Sequence, residues 1–130
     1  WLDQGVAALL DDLEATGLLD ETLVVMLGEF GRTPKISRQG KAATVGRDHW
    51  APCFFGLFAG AGVRGGQVIG KSDKIGAYPI TPHYSPNDVG ATVYHLLGID
   101  PASEVRDRVG RPVRLNQGHV MQALFTGSAG

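Results

Sequence analysis

Residues 2–16 carry a helical period. Leu2, Val6, Leu9, Leu10 and Leu13 fall at i, i+4, i+7, i+8 and i+11 and make one apolar stripe, with Asp11, Asp12 and Glu14 on the other face. Gly17 is a natural stop for such a helix. After the polar link Asp20-Glu21-Thr22, the run Leu23-Val24-Val25-Met26-Leu27 is apolar without alternation. That pattern predicts a strand buried on both faces, as in a parallel sheet. A second run, from Pro52 to Ala59, predicts another buried strand. Residues 28–50 between them show no period, and a long loop inside a domain is often functional. Residues 60–66 are glycine-rich; they follow a strand but open no helix, so they read as a turn and not as a phosphate cradle. Gln67-Val68-Ile69 predicts a short edge strand, and residues 71–83 look irregular. A second helix is predicted over 85–97, with Ser85 as cap, Pro86 at the first helical position and Asp88 three residues after the cap. Its stripe is Val89, Val93, Leu96 and Leu97, and Gly98 ends it. Residues 109–115 predict a strand or hairpin, and residues 120–125 a last helical turn or two.

Helix, strand, long loop, strand, turns and helix together describe an α/β chain with a mostly parallel sheet. A length of 130 residues fits one domain, 1–130, and 43% hydrophobic with 19% charged residues supports a core. Lys and Arg number 12 against 13 Asp and Glu, a net charge of -1, so the basic excess of a nucleic-acid binder is missing. No apolar run reaches the roughly 18 residues a membrane helix needs. The single cysteine excludes an internal disulfide and a cysteine-cluster zinc site. The chain opens at Trp1, already in helical pattern, and reads as a piece of a larger protein whose localisation signals lie elsewhere. A partial sheet of this kind leaves an edge free. The expectation is therefore a homo-oligomer through that edge, or an unusually exposed apolar patch.

In open α/β sheets, ligands bind outside the carboxyl ends of the strands. The segment leaving the first strand is Gly28-Glu29-Phe30-Gly31-Arg32-Thr33-Pro34, which puts Glu29 and Arg32 where a site would be. Glu29 reads as a metal ligand, a general base, or the ion-pair partner of Arg32 or Arg47. Asp48 and His49 are suited to Zn²⁺, Mn²⁺ or similar ions. As neighbours in a strand they would point apart, so both reach one ion only in a bent loop. The alternative is a loop-stabilising Asp beside a half-buried His. Arg32, Lys35, Arg38, Lys41 and Arg47 place five cations in this loop. Arg suits bidentate contact with phosphate or sulfate oxygens; Lys35, Arg38 and Lys41 read as a solvated face, whereas Arg32 and Arg47 flank the candidate ligands. His83 reads as a ligand or substrate contact, or equally as an exposed loop residue. His95, His119 and Cys53 read as structural.

Residues 23–34 followed by Gly46-Arg47-Asp48-His49-Trp50 resemble the domain-of-unknown-function 1501 family, sulfatase-like proteins of the alkaline phosphatase superfamily. Residues 59–66, 88–100 and 110–115 continue the resemblance in the same order over nearly the whole chain. The resemblance implies the C-terminal part of an alkaline-phosphatase-like α/β sandwich and a metal-dependent hydrolase of phosphate or sulfate esters. It implies a divalent metal (Zn, Mn, Ca or Mg) with Glu29, Asp48 and His49 as donors, and a small anionic ester met by Arg32, Arg47 and His83. The nucleophile of such an enzyme would lie upstream of Trp1, and the location would be exported or periplasmic. One departure is visible. In many relatives the Asp-His pair directly follows the buried strand; here Glu29 takes that place and Asp48-His49 come some 20 residues later. The alternative is a degenerate, non-catalytic member that binds a polyanion or a protein partner.

Overall fold

Helix α1 (Leu2–Ala15) forms where the apolar period predicts it. Gly17, at φ 73°, turns the chain out of the helix in the left-handed conformation that glycine adopts without strain. Thr16 Oγ1 donates to the Asp12 carbonyl at 2.8 Å, satisfying one acceptor of the last turn. The stripe itself is uncovered: no residue of α1 is buried, and Leu2 and Leu9 are 70% and 48% exposed. The computed structural model describes residues 1–38 and 44–127.

After a 3₁₀ turn (Leu18–Asp20), β1 (Val24–Leu27) pairs with β6 (Gly56–Ala59), from Val24 opposite Ala59 to Leu27 opposite Gly56. Within the loop between them, β2 (Gly31–Arg32) pairs with β5 (His49–Trp50) and β3 (Ser37–Arg38) with β4 (Val45–Gly46). Farther on, β7 (Glu104–Arg106) pairs with β8 (Pro112–Arg114). All four pairs are antiparallel, and among the described residues no sheet exceeds two strands. The mostly parallel sheet of an alkaline-phosphatase-like sandwich is therefore corrected. Parallel neighbours need a crossover, usually a helix. The described residues between 28 and 55 contain no helix, and the chain doubles back on itself.

The six strands β1 to β6 nest as one long, bent hairpin. Between the outer and middle ladders the outgoing arm has three residues (28–30) and the returning arm five (51–55). Between the middle and inner ladders the surplus changes sides, four residues (33–36) against two (47, 48). Unequal arms force bulges, which bend and twist a ribbon. Gly31 permits the larger one: a Cβ there would overlap the Cys53 carbonyl oxygen. The bulge also explains why the second apolar run becomes strand only from Gly56, with Phe55 80% exposed. Neither β1 nor β6 contains a buried residue, so their continuous apolar character does not reflect burial on two faces.

The buried centre lies farther along the chain. Helix α2 (Pro86–Leu96) begins with the expected capping box: the Ser85 side chain accepts the Asp88 N–H, and Asp88 Oδ2 accepts the Ser85 N–H at 2.6 Å. Ala91 and Thr92 are fully buried, and with Met121, Leu124 and Ala77 they make the core. Thr92 Oγ1 donates to the Asp88 carbonyl at 2.7 Å and accepts the Met121 N–H at 2.9 Å. Asp88 Oδ1 accepts the His119 N–H at 2.8 Å, so one carboxylate ties the helix start to the chain that enters α3 (Ala123–Thr126). The expected edge strand at Gln67–Ile69 does not form. The Gln67 side chain instead donates to the Ala123 and Leu124 carbonyls at 3.2 and 3.0 Å. Among the described residues no helix is long and apolar enough to cross a membrane.

Candidate functional site

The bent hairpin brings the two ends of the long loop together. Arg32 on β2 stands directly opposite His49 on β5, so both side chains belong to one face of the ribbon. Phe30, two residues before Arg32, shares that face, and its ring lies 3.9 Å from the His49 ring, centroid to centroid, at 32°. The Arg32 guanidinium carbon lies 5.6 Å from the Phe30 ring centroid, within cation–π range. Arg32 Nη1 also makes a long hydrogen bond, 3.4 Å, to the Arg47 carbonyl. Gly31 and Trp50 occupy the opposite face, where Trp50 Nε1 donates to the Ala77 carbonyl at 2.6 Å and its ring meets Tyr78 edge-on. Trp50 thus anchors the ribbon to the segment before α2, and the Arg32–His49 face is left to solvent.

Asp48 belongs elsewhere. The Thr33 N–H donates to the Asp48 carbonyl at 2.9 Å, and the Asp48 N–H donates to Thr33 Oγ1 at 3.0 Å, extending the ladder by one pair. Alternation then sends Asp48 to the face opposite His49. Among the described residues no three His, Cys, Asp or Glu side chains gather closely enough to hold a metal ion. A catalytic zinc, for comparison, takes about three protein ligands. The donors gathered in any one place among the described residues therefore fall short of a complete set for a divalent metal.

Glu29 is exposed at the exit of β1, and among the described residues no ion pair joins it or Asp48 to Arg32 or Arg47. Arg47 is exposed at the start of the return arm. His83 lies apart from the ribbon's charged face. It lines an open groove of about 720 Å³, together with Leu27, Phe54, Leu57, Lys71 and Met121. Lys35 and Arg38 are exposed on the ribbon, and Lys41 lies outside the described residues. Two contributors escape the reading by residue type. Phe30 orients His49, and Thr33 replaces a backbone acceptor for Asp48. The signal for Phe30 was its position two residues from Arg32, which matters only once 30–32 is known to be extended.

A family model described as protein of unknown function (DUF1501) matches residues 1–125. No curated protein and no solved structure matches the chain.

Proposed function

On the premise that the chain belongs to the DUF1501 family, we propose that it serves a hydrolase acting on phosphate or sulfate esters, binding the anionic group on the ribbon face that carries Arg32 and His49. The observation that carries this is the cross-strand pair itself, a guanidinium and an imidazole on one exposed face with no carboxylate paired to either among the described residues. Arg32 spends one nitrogen on a weak bond to the Arg47 carbonyl, and the rest of its fork is free for two oxygens of a tetrahedral anion. Phe30 backs the His49 ring, and a His49 ring N–H is a further donor in this reading. Arg47 is the additional substrate contact in this reading, and His83, in its separate groove, is outside it. Cations set around the nonbridging oxygens neutralise charge as the ester bond breaks, which is the main catalytic demand of phosphoryl transfer. The reaction class comes from the resemblance to sulfatase-like members of the alkaline phosphatase superfamily, and no residue of this chain is assigned as nucleophile.

Calorimetric titration of the full chain with inorganic phosphate and with sulfate tests the binding step. Arg32→Ala is expected to weaken binding by about tenfold or more, as loss of a charge-assisted hydrogen bond does. No saturable binding of either anion by the unaltered chain rejects the proposal. Metal dependence is left to elemental analysis: divalent metal lost in His49→Ala supports it, and none above background rejects it.

A second reading is favoured by the exposure of Arg32, Lys35, Arg38 and Arg47 along one ribbon. In it the chain is a non-catalytic binder of polyanions. Salt-sensitive binding of a sulfated polysaccharide, with no saturable binding of inorganic phosphate or sulfate, selects this alternative.

A further inference from the structure

Residues 71–81, irregular in the sequence, are tied into a closed loop. The Lys71 N–H donates to Thr81 Oγ1 at 2.8 Å, and the Ile80 N–H donates to the Lys71 carbonyl at 2.9 Å. Ser72 and Pro79 form an antiparallel bridge, and the Asp73 N–H donates to the Tyr78 carbonyl at 2.9 Å. Asp73 organises the tip. Its Oδ1 accepts the Ala77 N–H at 2.7 Å and the Ile75 N–H at 3.2 Å, while its carbonyl accepts the Gly76 N–H at 3.1 Å. Ala77 is 4% exposed, so removing the carboxylate strands a buried donor, and the loop must shift to satisfy it.

The same residue meets the ribbon. The Ala77 carbonyl accepts the Trp50 Nε1–H at 2.6 Å, and the Tyr78 ring lies edge-on to Trp50 with 5.5 Å between centroids. Trp50 pairs with Gly31 in the ladder that pairs His49 with Arg32. That ladder belongs to a two-stranded sheet, so no third strand steadies its twist. Among the described residues, the Trp50 bond is the one hydrogen bond that joins residues 28–55 to any part of the chain outside the ribbon.

We infer that Asp73 is a positioning residue for the anion site on the ribbon. By fixing Ala77 it sets where Trp50 is held, and Trp50 in turn sets the twist of the ladder on which Arg32 and His49 stand opposite each other. Asp73 acts through this connection and does not touch the anion. The inference rests on the reading of the Arg32–His49 face as an anion site.

Calorimetric titration of the full chain with inorganic phosphate tests it, at a temperature where circular dichroism shows each variant folded. Asp73→Ala should weaken phosphate binding about threefold or more, as displacement of a supporting group does. Trp50→Phe, which keeps an aromatic ring and loses the indole N–H, should do the same. The double variant should bind no more weakly than either single one, because both cut one connection. Asp73→Asn keeps the Oδ1 acceptor, and Oδ2 receives no donor among the described residues, so its affinity should match the unaltered chain. The Trp50 indole N–H should exchange faster with solvent in Asp73→Ala than in Asp73→Asn. Ser85→Ala removes the cap of α2 and lowers stability without touching this connection; its affinity should be unchanged. No phosphate binding by the unaltered chain rejects the anion site and this inference with it. Where the unaltered chain binds, undiminished affinity in Asp73→Ala or in Trp50→Phe overturns the inference alone. Equal changes in Asp73→Ala and Asp73→Asn would mean that the carboxylate acts by its charge, and overturn it too.

Discussion

Thr92 is the one fully buried polar side chain among the described residues, and replacing it with valine tests how the core is held. The shape is conserved and a hydroxyl becomes a methyl. Its donor bond to the Asp88 carbonyl, 2.7 Å, loops back within α2 and is the lesser loss. The acceptor bond decides the outcome. The Met121 N–H, 2.9 Å from Thr92 Oγ1, is buried and would be left without an acceptor. Such a stranded donor costs about 1–3 kcal/mol. A loss near 2 kcal/mol lowers the melting temperature by roughly 6–12 °C for a chain of this size. Thr92→Ser is the control: it keeps the oxygen and deletes a methyl, costing about 0.5–1.5 kcal/mol. Urea unfolding followed by circular dichroism should rank wild type above Thr92→Ser and Thr92→Ser above Thr92→Val. Amide exchange at Met121 should lose protection in Thr92→Val alone. If the valine variant matches or exceeds wild type in stability, Thr92 merely fills space and the account of the core is wrong.

Two further outcomes follow from the same geometry. Gly31→Ala would drive a Cβ into the Cys53 carbonyl, so the bulge at 51–55 must shift; melting should fall by several degrees, and cross-strand contacts between Phe30 and His49 should weaken in nuclear Overhauser spectra. For Asp88, burial is the largest single influence and pushes its carboxyl up; hydrogen bonds from the His119 and Ser85 N–H groups and the Ser85 hydroxyl, with the His119 charge, together outweigh it and leave the group below its ordinary 3.8. The unfolded chain therefore binds this proton more readily. The stabilisation is fully present above the unfolded pKa and is lost as pH falls through the folded value. Urea midpoints measured from about pH 6 down to pH 2 should decline less steeply in Asp88→Asn than in wild type. Equal slopes would show that Asp88 contributes nothing to the acid limb.

The two longer helices were legible from residue order alone. The period of α1 with its stop at Gly17, and the Ser85–Asp88 box of α2, act within a turn or two of the chain and need no distant partner. Strand direction was not legible in this way. Val24 to Leu27 is apolar on every residue, so the run carries no sign of which neighbour it pairs with or in which sense. That was settled by residues 28–55, which have no period of their own and fold back through unequal arms held by backbone bonds. The exit of β1 pointed to Glu29 and Arg32. Only the return of the chain put His49 opposite Arg32, turned Asp48 to the other face and set His83 in a separate groove. Helices are encoded by contacts between near neighbours; a site assembled across a hairpin depends on contacts between residues far apart, and those exist only once the register is formed.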